Sequence, residues 1–154
     1  MTFAALSTAP LLVSMLSGCG GNEQYAQALY GPPNVPGSVT VNGMAFLDSQ
    51  SNIINLSGNQ TVPVHTSFII EFNVPMNVAA VATAITFIDS NNSPVAFVIS
   101  SDYVPYSINF TITPTADLEQ NTNYTLSIGD TATDSYGNKL IVNANASAAF
   151  KTSA

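Results

Sequence analysis

The feature that most restricts the fold lies at residues 107–128, SINFTITPTADLEQNTNYTLSI. Ile108, Phe110 and Ile112 alternate with Asn109, Thr111 and Thr113; further on, Tyr124, Leu126 and Ile128 alternate with Thr125, Ser127 and Gly129. A period of two gives each segment one apolar and one polar face, which describes a half-buried strand and not a helix. Pro114 has no N–H to give a central strand, so the chain leaves the sheet there. Two such strands need other apolar faces to cover them. The fold must be built from packed sheets.

The rest of the chain supplies those faces. Val39 and Val41, with Ala45 and Leu47, predict an initial strand weakened by Gly43, so residues 38–52 read as a linker or an extra edge strand. Ile53, Ile54 and Leu56 predict the first strand of the sandwich, Gly58-Asn59 a turn, and Val62-Pro63-Val64 an edge. Phe68, Ile70 and Phe72 predict a core strand that ends in a turn at Val74-Pro75-Met76-Asn77. Residues 78–84 read as a helical turn crossing between sheets. Ile85, Phe87 and Ile88 then form a strand, residues 89–94 a hairpin loop of strong turn formers, and Val95, Phe97 and Ile99 its partner. Asp134-Ser135-Tyr136-Gly137-Asn138 is a tight loop with Gly137 available for positive φ. Residues 140–142 and 147–152 close the sheet, with Phe150 as a core anchor.

About seven short strands with turn signals roughly every ten residues predict an all-β, Ig-like Greek-key β-sandwich. The polar corner between Leu118 and Tyr124 fits the tyrosine corner of such sandwiches, so the Tyr124 hydroxyl is expected to bond backbone near residues 117–120. The length of 154 residues allows one domain of residues 53–152 with tails.

Composition excludes several partners. Lys139 and Lys151 are the only basic residues, and the net charge is −7. Binding to a phosphate backbone needs clustered Lys and Arg, so nucleic acid is excluded, and so is electrostatic attachment to anionic lipid. Cys19 is the single cysteine, so no intrachain disulfide forms. Six N-x-S/T sequons (Asn55, Asn59, Asn91, Asn109, Asn123 and Asn145) are expected by chance in so Asn- and Thr-rich a chain.

Residues 1–18 are apolar with small residues and are broken by Pro10. They are too short for a spanning helix, which needs about 20 apolar residues, but they suit a secretory signal. The end of this run, Leu16-Ser17-Gly18-Cys19, resembles the lipobox of bacterial lipoproteins, although no Lys or Arg precedes the apolar run. The resemblance implies a lipid on Cys19, which becomes the mature N-terminus. It further implies attachment to the cell envelope, at the outer membrane or cell surface, with Gly20 favouring the outer membrane in a diderm cell. Residues 19–37 then form a tether in which glycines add freedom and Pro32, Pro33 and Pro36 favour extended chain.

Catalytic and metal constellations are weak. Asp130, Asp134 and Asn138, with Asp89 or Asp117, offer oxygens of the kind calcium takes, but their spacing is not that of an EF-hand loop. Turn carboxylates more often bond their own backbone. His65 is the single histidine and accompanies no nucleophile motif. Glu71 reads as a solvated charge, and Asp117 and Glu119 as corner acids. Tyr25, Tyr30, Tyr103, Tyr106 and Tyr136 lie in loops or the tether, where exposed rings serve as interfaces or sugar-stacking surfaces, or simply rim the sandwich.

Phe68-x-Ile70-x-Phe72-Asn73-x-Pro75-Met76, Thr113-Pro114 with Leu118 and Tyr124-Thr125-Leu126, Asp134-x-x-Gly137-Asn138 and the late Phe150-Lys151-Thr152 together resemble the bacterial Ig-like domain of the SbsA type, repeated in S-layer proteins. Asn73 stands where the family more usually has Ser. The resemblance implies a non-catalytic structural, spacer or interaction module, with no cofactor and no metal. Its expected partners are the membrane, through the lipid on Cys19, and an envelope protein or polysaccharide. The alternative expectation is the N-terminal part of a longer secreted hydrolase or Ig-like repeat protein.

Overall fold

The computed structural model describes residues 37–58 and 60–154. The predicted signal segment, Cys19 and the tether up to residue 36 lie outside the described residues. The elements are β1 (Val41–Leu47), β2 (Ile53–Asn55), β3 (Gln60–Val62), β4 (Phe68–Asn77), α1 (Val78–Ala84), β5 (Ile85–Asp89), β6 (Phe97–Ser101), β7 (Tyr106–Pro114), β8 (Asn123–Ile128), a 3₁₀ turn at Ala144–Ala146, and β9 (Ser147–Thr152). They make two sheets, ordered β2-β1-β4-β7-β6 and β3-β9-β8-β5. All pairs are antiparallel except β3 with β9. This is an all-β sandwich.

The core is the set of inward positions that alternation dictates. From β4 and β7 come Phe68, Ile70, Phe72, Phe110 and Ile112, and from β5, β8 and β9 come Phe87, Tyr124, Leu126, Ile128 and Phe150, all buried. Rings from the two sheets meet in the middle. Phe68 lies 5.4 Å from Phe87 and 4.9 Å from Phe150, and Tyr124 stacks on Phe150 at 5.7 Å. α1 carries the chain from one sheet to the other, capped by the Asn77 side chain, which accepts from Ala80 N–H at 3.1 Å.

Several expectations need correction. Residues 38–52 are neither linker nor edge, because β1 sits between β2 and β4 with Val41, Met44, Ala45 and Phe46 buried. The reason is a register shift between Val41 and Gly43, which moves the inward set from odd to even numbers. Strict alternation through Ala45 and Leu47 cannot detect that shift. The predicted first strand at Ile53 is in turn the short edge strand β2, and the described residues hold nine strands against about seven expected.

The predicted turn at residues 74–77 is instead the continuation of β4. Between the pairs Glu71–Asn109 and Met76–Ser107, residues 72–75 lie opposite Ile108 alone. Pro75 sits in that bulge, where no ladder N–H is required of it. On β7 the same irregularity turns Ile108 outward, leaving it 41% exposed, while Ser107 and Phe110 face inward.

The predicted hairpin at residues 89–94 is a change of sheet. Val95 N–H still donates to the Phe87 carbonyl at 2.9 Å, but β6 then pairs with β7 in the other sheet. Residues 140–142 form no strand. Leu140 makes an isolated bridge with Val39 and is buried, whereas Ile141 and Val142 are exposed.

Candidate functional site

Three loops share one construction. Asp48-Ser49-Gln50-Ser51-Asn52, Asp89-Ser90-Asn91-Asn92-Ser93 and Asp134-Ser135-Tyr136-Gly137-Asn138 each open with Asp-Ser. In each, one oxygen of the first carboxylate accepts the N–H groups of the third and fifth residues, at 2.8 Å throughout. The fourth residue is left-handed, with φ of 62° at Ser51, 61° at Asn92 and 86° at Gly137. A carboxylate that takes two backbone donors fixes a turn by itself. The oxygens raised as calcium ligands at Asp89 and Asp134 are thus engaged by their own loops, and Asn138 donates its side-chain amide to Asp134 at 2.8 Å. The first loop was missed as a member of the set because Ser51, unlike Gly137, does not announce a positive φ.

The bonds from the side chain and backbone of Asn52 hold the Asp48 carboxyl below its ordinary range. Asp48 therefore supports folding above about pH 4, and that support fades as pH falls through its lowered value. Ser51 is the residue least suited to its conformation. Ser51→Gly is expected to raise stability by up to about 1 kcal/mol, since relief of left-handed strain outweighs the added chain entropy. A lower thermal midpoint would contradict this.

The corner between β7 and β8 is pinned at both ends. The Tyr124 hydroxyl accepts the Glu119 N–H at 2.9 Å, and Leu118, buried beneath it, donates its N–H to the Val64 carbonyl at 3.0 Å. Thr152, at the end of β9, is 1% exposed and completes the clamp. Its hydroxyl donates to the Glu119 carbonyl and accepts the Thr122 N–H at 3.0 Å. Sequence reasoning gave Thr152 no such part, since a threonine near the end of a strand carries no distinctive signal. Tyr124→Phe leaves the Glu119 N–H without its partner and is expected to cost about 1–3 kcal/mol in chemical denaturation. A change below about 0.5 kcal/mol would remove the corner from the stability account.

Asn73 ties the incoming chain to β4. It accepts the Thr40 N–H at 2.8 Å and donates to the Ser38 carbonyl at 2.7 Å. The shorter hydroxyl of serine offers one donor and no amide pair, so the departure from the usual residue has a structural use here.

The other titratable candidates sit on the surface. His65 Nδ1 and Asp117 Oδ1 are 2.7 Å apart, but the side chains are 91% and 67% exposed. So exposed a pair contributes little to stability. They border a shallow cavity of about 310 Å³ beside Leu47, Asp48 and Thr66. Glu71 is exposed and accepts from the Asn42 amide at 3.2 Å. Among the described residues no cluster of three or more His, Cys, Asp or Glu is placed to hold a metal.

At the opposite end of the sandwich Tyr106 and the Tyr136 loop flank the end of β4 on its two sides. Tyr106 pairs with Asn77 on one side of that strand. On the other side, Asn77 N–H donates to the Thr133 carbonyl at 2.9 Å and Ser135 N–H to the Pro75 carbonyl at 3.1 Å, which sets the Tyr136 loop there. Tyr103 and Val104 stand out furthest, at 77% and 80% exposure, with Tyr106 and Tyr136 beside the same strand end. Tyr25 and Tyr30 lie outside the described residues. Exposed rings on fixed loops suit contact with a protein or with sugar faces.

Among solved structures, the chain is similar to the N-terminal part of the bacterial S-layer protein SbsC, with 15% identity, a TM-score of 0.49, and coverage of 84% of this chain and 26% of that one. A structure of domains 1–6 of the surface layer protein SbsC gives 16% identity and a TM-score of 0.49 over 84% of this chain and 15% of that one. The chain thus spans about a quarter or less of the length of those structures. No curated protein matches it. The family model that matches, over residues 49–152, is described as a bacterial Ig-like domain. That match takes in the paired Phe68–Phe150 core, the Tyr124 corner and the Asp134 loop, and the chain belongs to the bacterial Ig-like domain family.

Proposed function

We propose that this chain is a non-catalytic module of the cell envelope, held at a membrane by lipid on Cys19 and presenting its Ig-like sandwich for spacing or for contact with an envelope protein or polysaccharide. The observation that carries the reading is the order of segments. Leu16-Ser17-Gly18-Cys19 follows an apolar run and precedes a Gly- and Pro-rich tether, after which the packed chain begins at Val39.

The chemistry is consistent. One acyl chain anchors a protein only marginally, at about 0.8 kcal/mol per buried methylene, but two or more hold it stably. With a net charge of −7 the protein has no electrostatic means of staying on an anionic surface, and a lipid on Cys19 would hold it there without one. The carboxylates of Asp48, Asp89 and Asp134 serve their own loops, and His65 with Asp117 is open to water, which favours a binding or spacing role over acid–base catalysis. The exposed Tyr103, Tyr106 and Tyr136 supply the contact surface.

Metabolic labelling with palmitate in a bacterial host tests the anchor. The wild-type chain is expected to take up label and fractionate with membranes, and Cys19→Ser to lose both. Equal labelling of the two would overturn the lipid assignment.

A further inference from the structure

The four sheet edges are not equivalent. β2 and β3 are three residues each, a length that limits pairing with another chain. The edge of β5 is covered in part by its own chain, through the Ile88–Pro94 bridge and the bond from Val95 N–H to the Phe87 carbonyl. β6 is five residues long, and it contains no proline, lysine or other charge. Among the described residues nothing pairs with its outer side.

The direction of its backbone groups follows from its pairing with β7. Thr115 N–H donates to the Ala96 carbonyl at 3.0 Å, and Phe97 faces Pro114, which has no N–H to exchange. In an antiparallel ladder hydrogen-bonded and non-bonded pairs alternate, so Val98 and Ser100 turn their N–H and C=O toward β7. Phe97, Ile99 and Ser101 turn theirs away from it. Those three residues are evenly spaced about Ile99. A two-fold axis at Ile99 therefore sets Phe97 against Ser101 of a second copy, Ile99 against Ile99, and Ser101 against Phe97, and every outward group finds a partner.

We propose that β6 is a strand-addition edge through which two copies of this chain pair antiparallel about a two-fold axis at Ile99. Symmetric pairing of this kind joins the two sheets into one continuous sheet. The self-complementary register fits a second copy as the occupant, and charge along the edge itself does not stand against it. Between Ser90 and Ala116, Asp102 is the one residue charged at neutral pH, so the edge is a neutral strip on a chain of net charge −7. In the two-fold register Asp102 lies opposite Ala96 of the partner, and the two Asp102 residues are offset by roughly 20 Å along the strands. That exceeds the screening length of about 8 Å at physiological ionic strength, so the like charges do not oppose the pairing. Phe97 and Ile99, half-buried against the core, gain cover from the partner strand.

Sedimentation equilibrium on the full chain carrying Cys19→Ser is expected to show a monomer that converts to dimer as concentration rises to about 1 mM. Ile99→Pro removes a central outward N–H that no bond among the described residues uses, and is expected to weaken the dimer at least tenfold while circular dichroism stays unchanged. If Ile99→Pro unfolds, Val98→Asp, at a position 57% exposed, puts a carboxylate of each copy beside the shared ladder and is expected to act likewise. The register is read by oxidation. Val98 and Ser100 of the two copies face each other about 5 Å apart, so the Val98→Cys/Ser100→Cys double variant is expected to form a covalent dimer at least tenfold faster than Val98→Cys alone. A monomer at every concentration overturns the proposal, as does a dimer indifferent to both edge variants. Equal crosslinking by the single and double variants overturns the two-fold register.

Discussion

Phe68→Ala is expected to destabilise the sandwich by about 3–5 kcal/mol, the usual cost of removing a buried aromatic ring. Phe68 has no exposed surface. Its ring reaches across from β4 to meet Phe87 of β5 and Phe150 of β9, so its loss opens a space that neither sheet can fill alone. Domains of this size have about 5–15 kcal/mol of stability in all, and a loss on that scale moves the denaturation midpoint far. The contrast is Ile108→Ala on the neighbouring strand β7. That side chain faces outward, and its truncation is expected to change stability by less than about 1 kcal/mol. If the two variants cost the same, the inward and outward faces assigned to these strands would be wrong.

A second large effect is expected from removing β1. A chain starting at residue 49, where the family match begins, lacks Val41, Met44, Ala45 and Phe46, all buried in the intact sandwich. It exposes the backbone of β4 from Phe68 to Phe72 and leaves β2 with no strand to pair with. It also loses the bonds by which Asn73, Asn143 and Asn145 hold the incoming chain at Ser38, Thr40, Val41 and Asn42. Burial of three large apolar side chains contributes about 1.5–3 kcal/mol each, which approaches the stability of the whole domain. A chain of residues 37–154 is expected to unfold in one cooperative transition, and one of residues 49–154 to show none. Cooperative unfolding of the shorter chain would place the domain boundary after β1.

Much of this architecture can be read in the residues, and where the reading fails there is a physical cause. Alternation identified β4, β6, β7 and β8, because a half-buried strand with one wet face leaves that pattern. It failed at Asn42-Gly43 and opposite Ile108, since a bulge reverses the faces without marking the composition. Alternation also cannot say which sheet a strand joins, so the loop opened by Asp89 read as a hairpin although β6 pairs with β7. The acidic loop at Asp134 was visible through Gly137, whereas its counterpart at Asp48 was hidden by a serine in the left-handed position. At the surface, sequence could name the tyrosines in loops but not set Tyr106 and the Tyr136 loop on the two sides of one strand end, because that placement depends on long-range pairing.

The proposed lipid on Cys19 is most directly measured at the mature N-terminus. Mass spectrometry of the protein purified from bacterial membranes is expected to show a chain beginning at Cys19 and carrying the added mass of a diacylglyceryl group, with or without a further acyl chain. A mature chain that keeps residues 1–18, or begins at an unmodified Cys19, would contradict it.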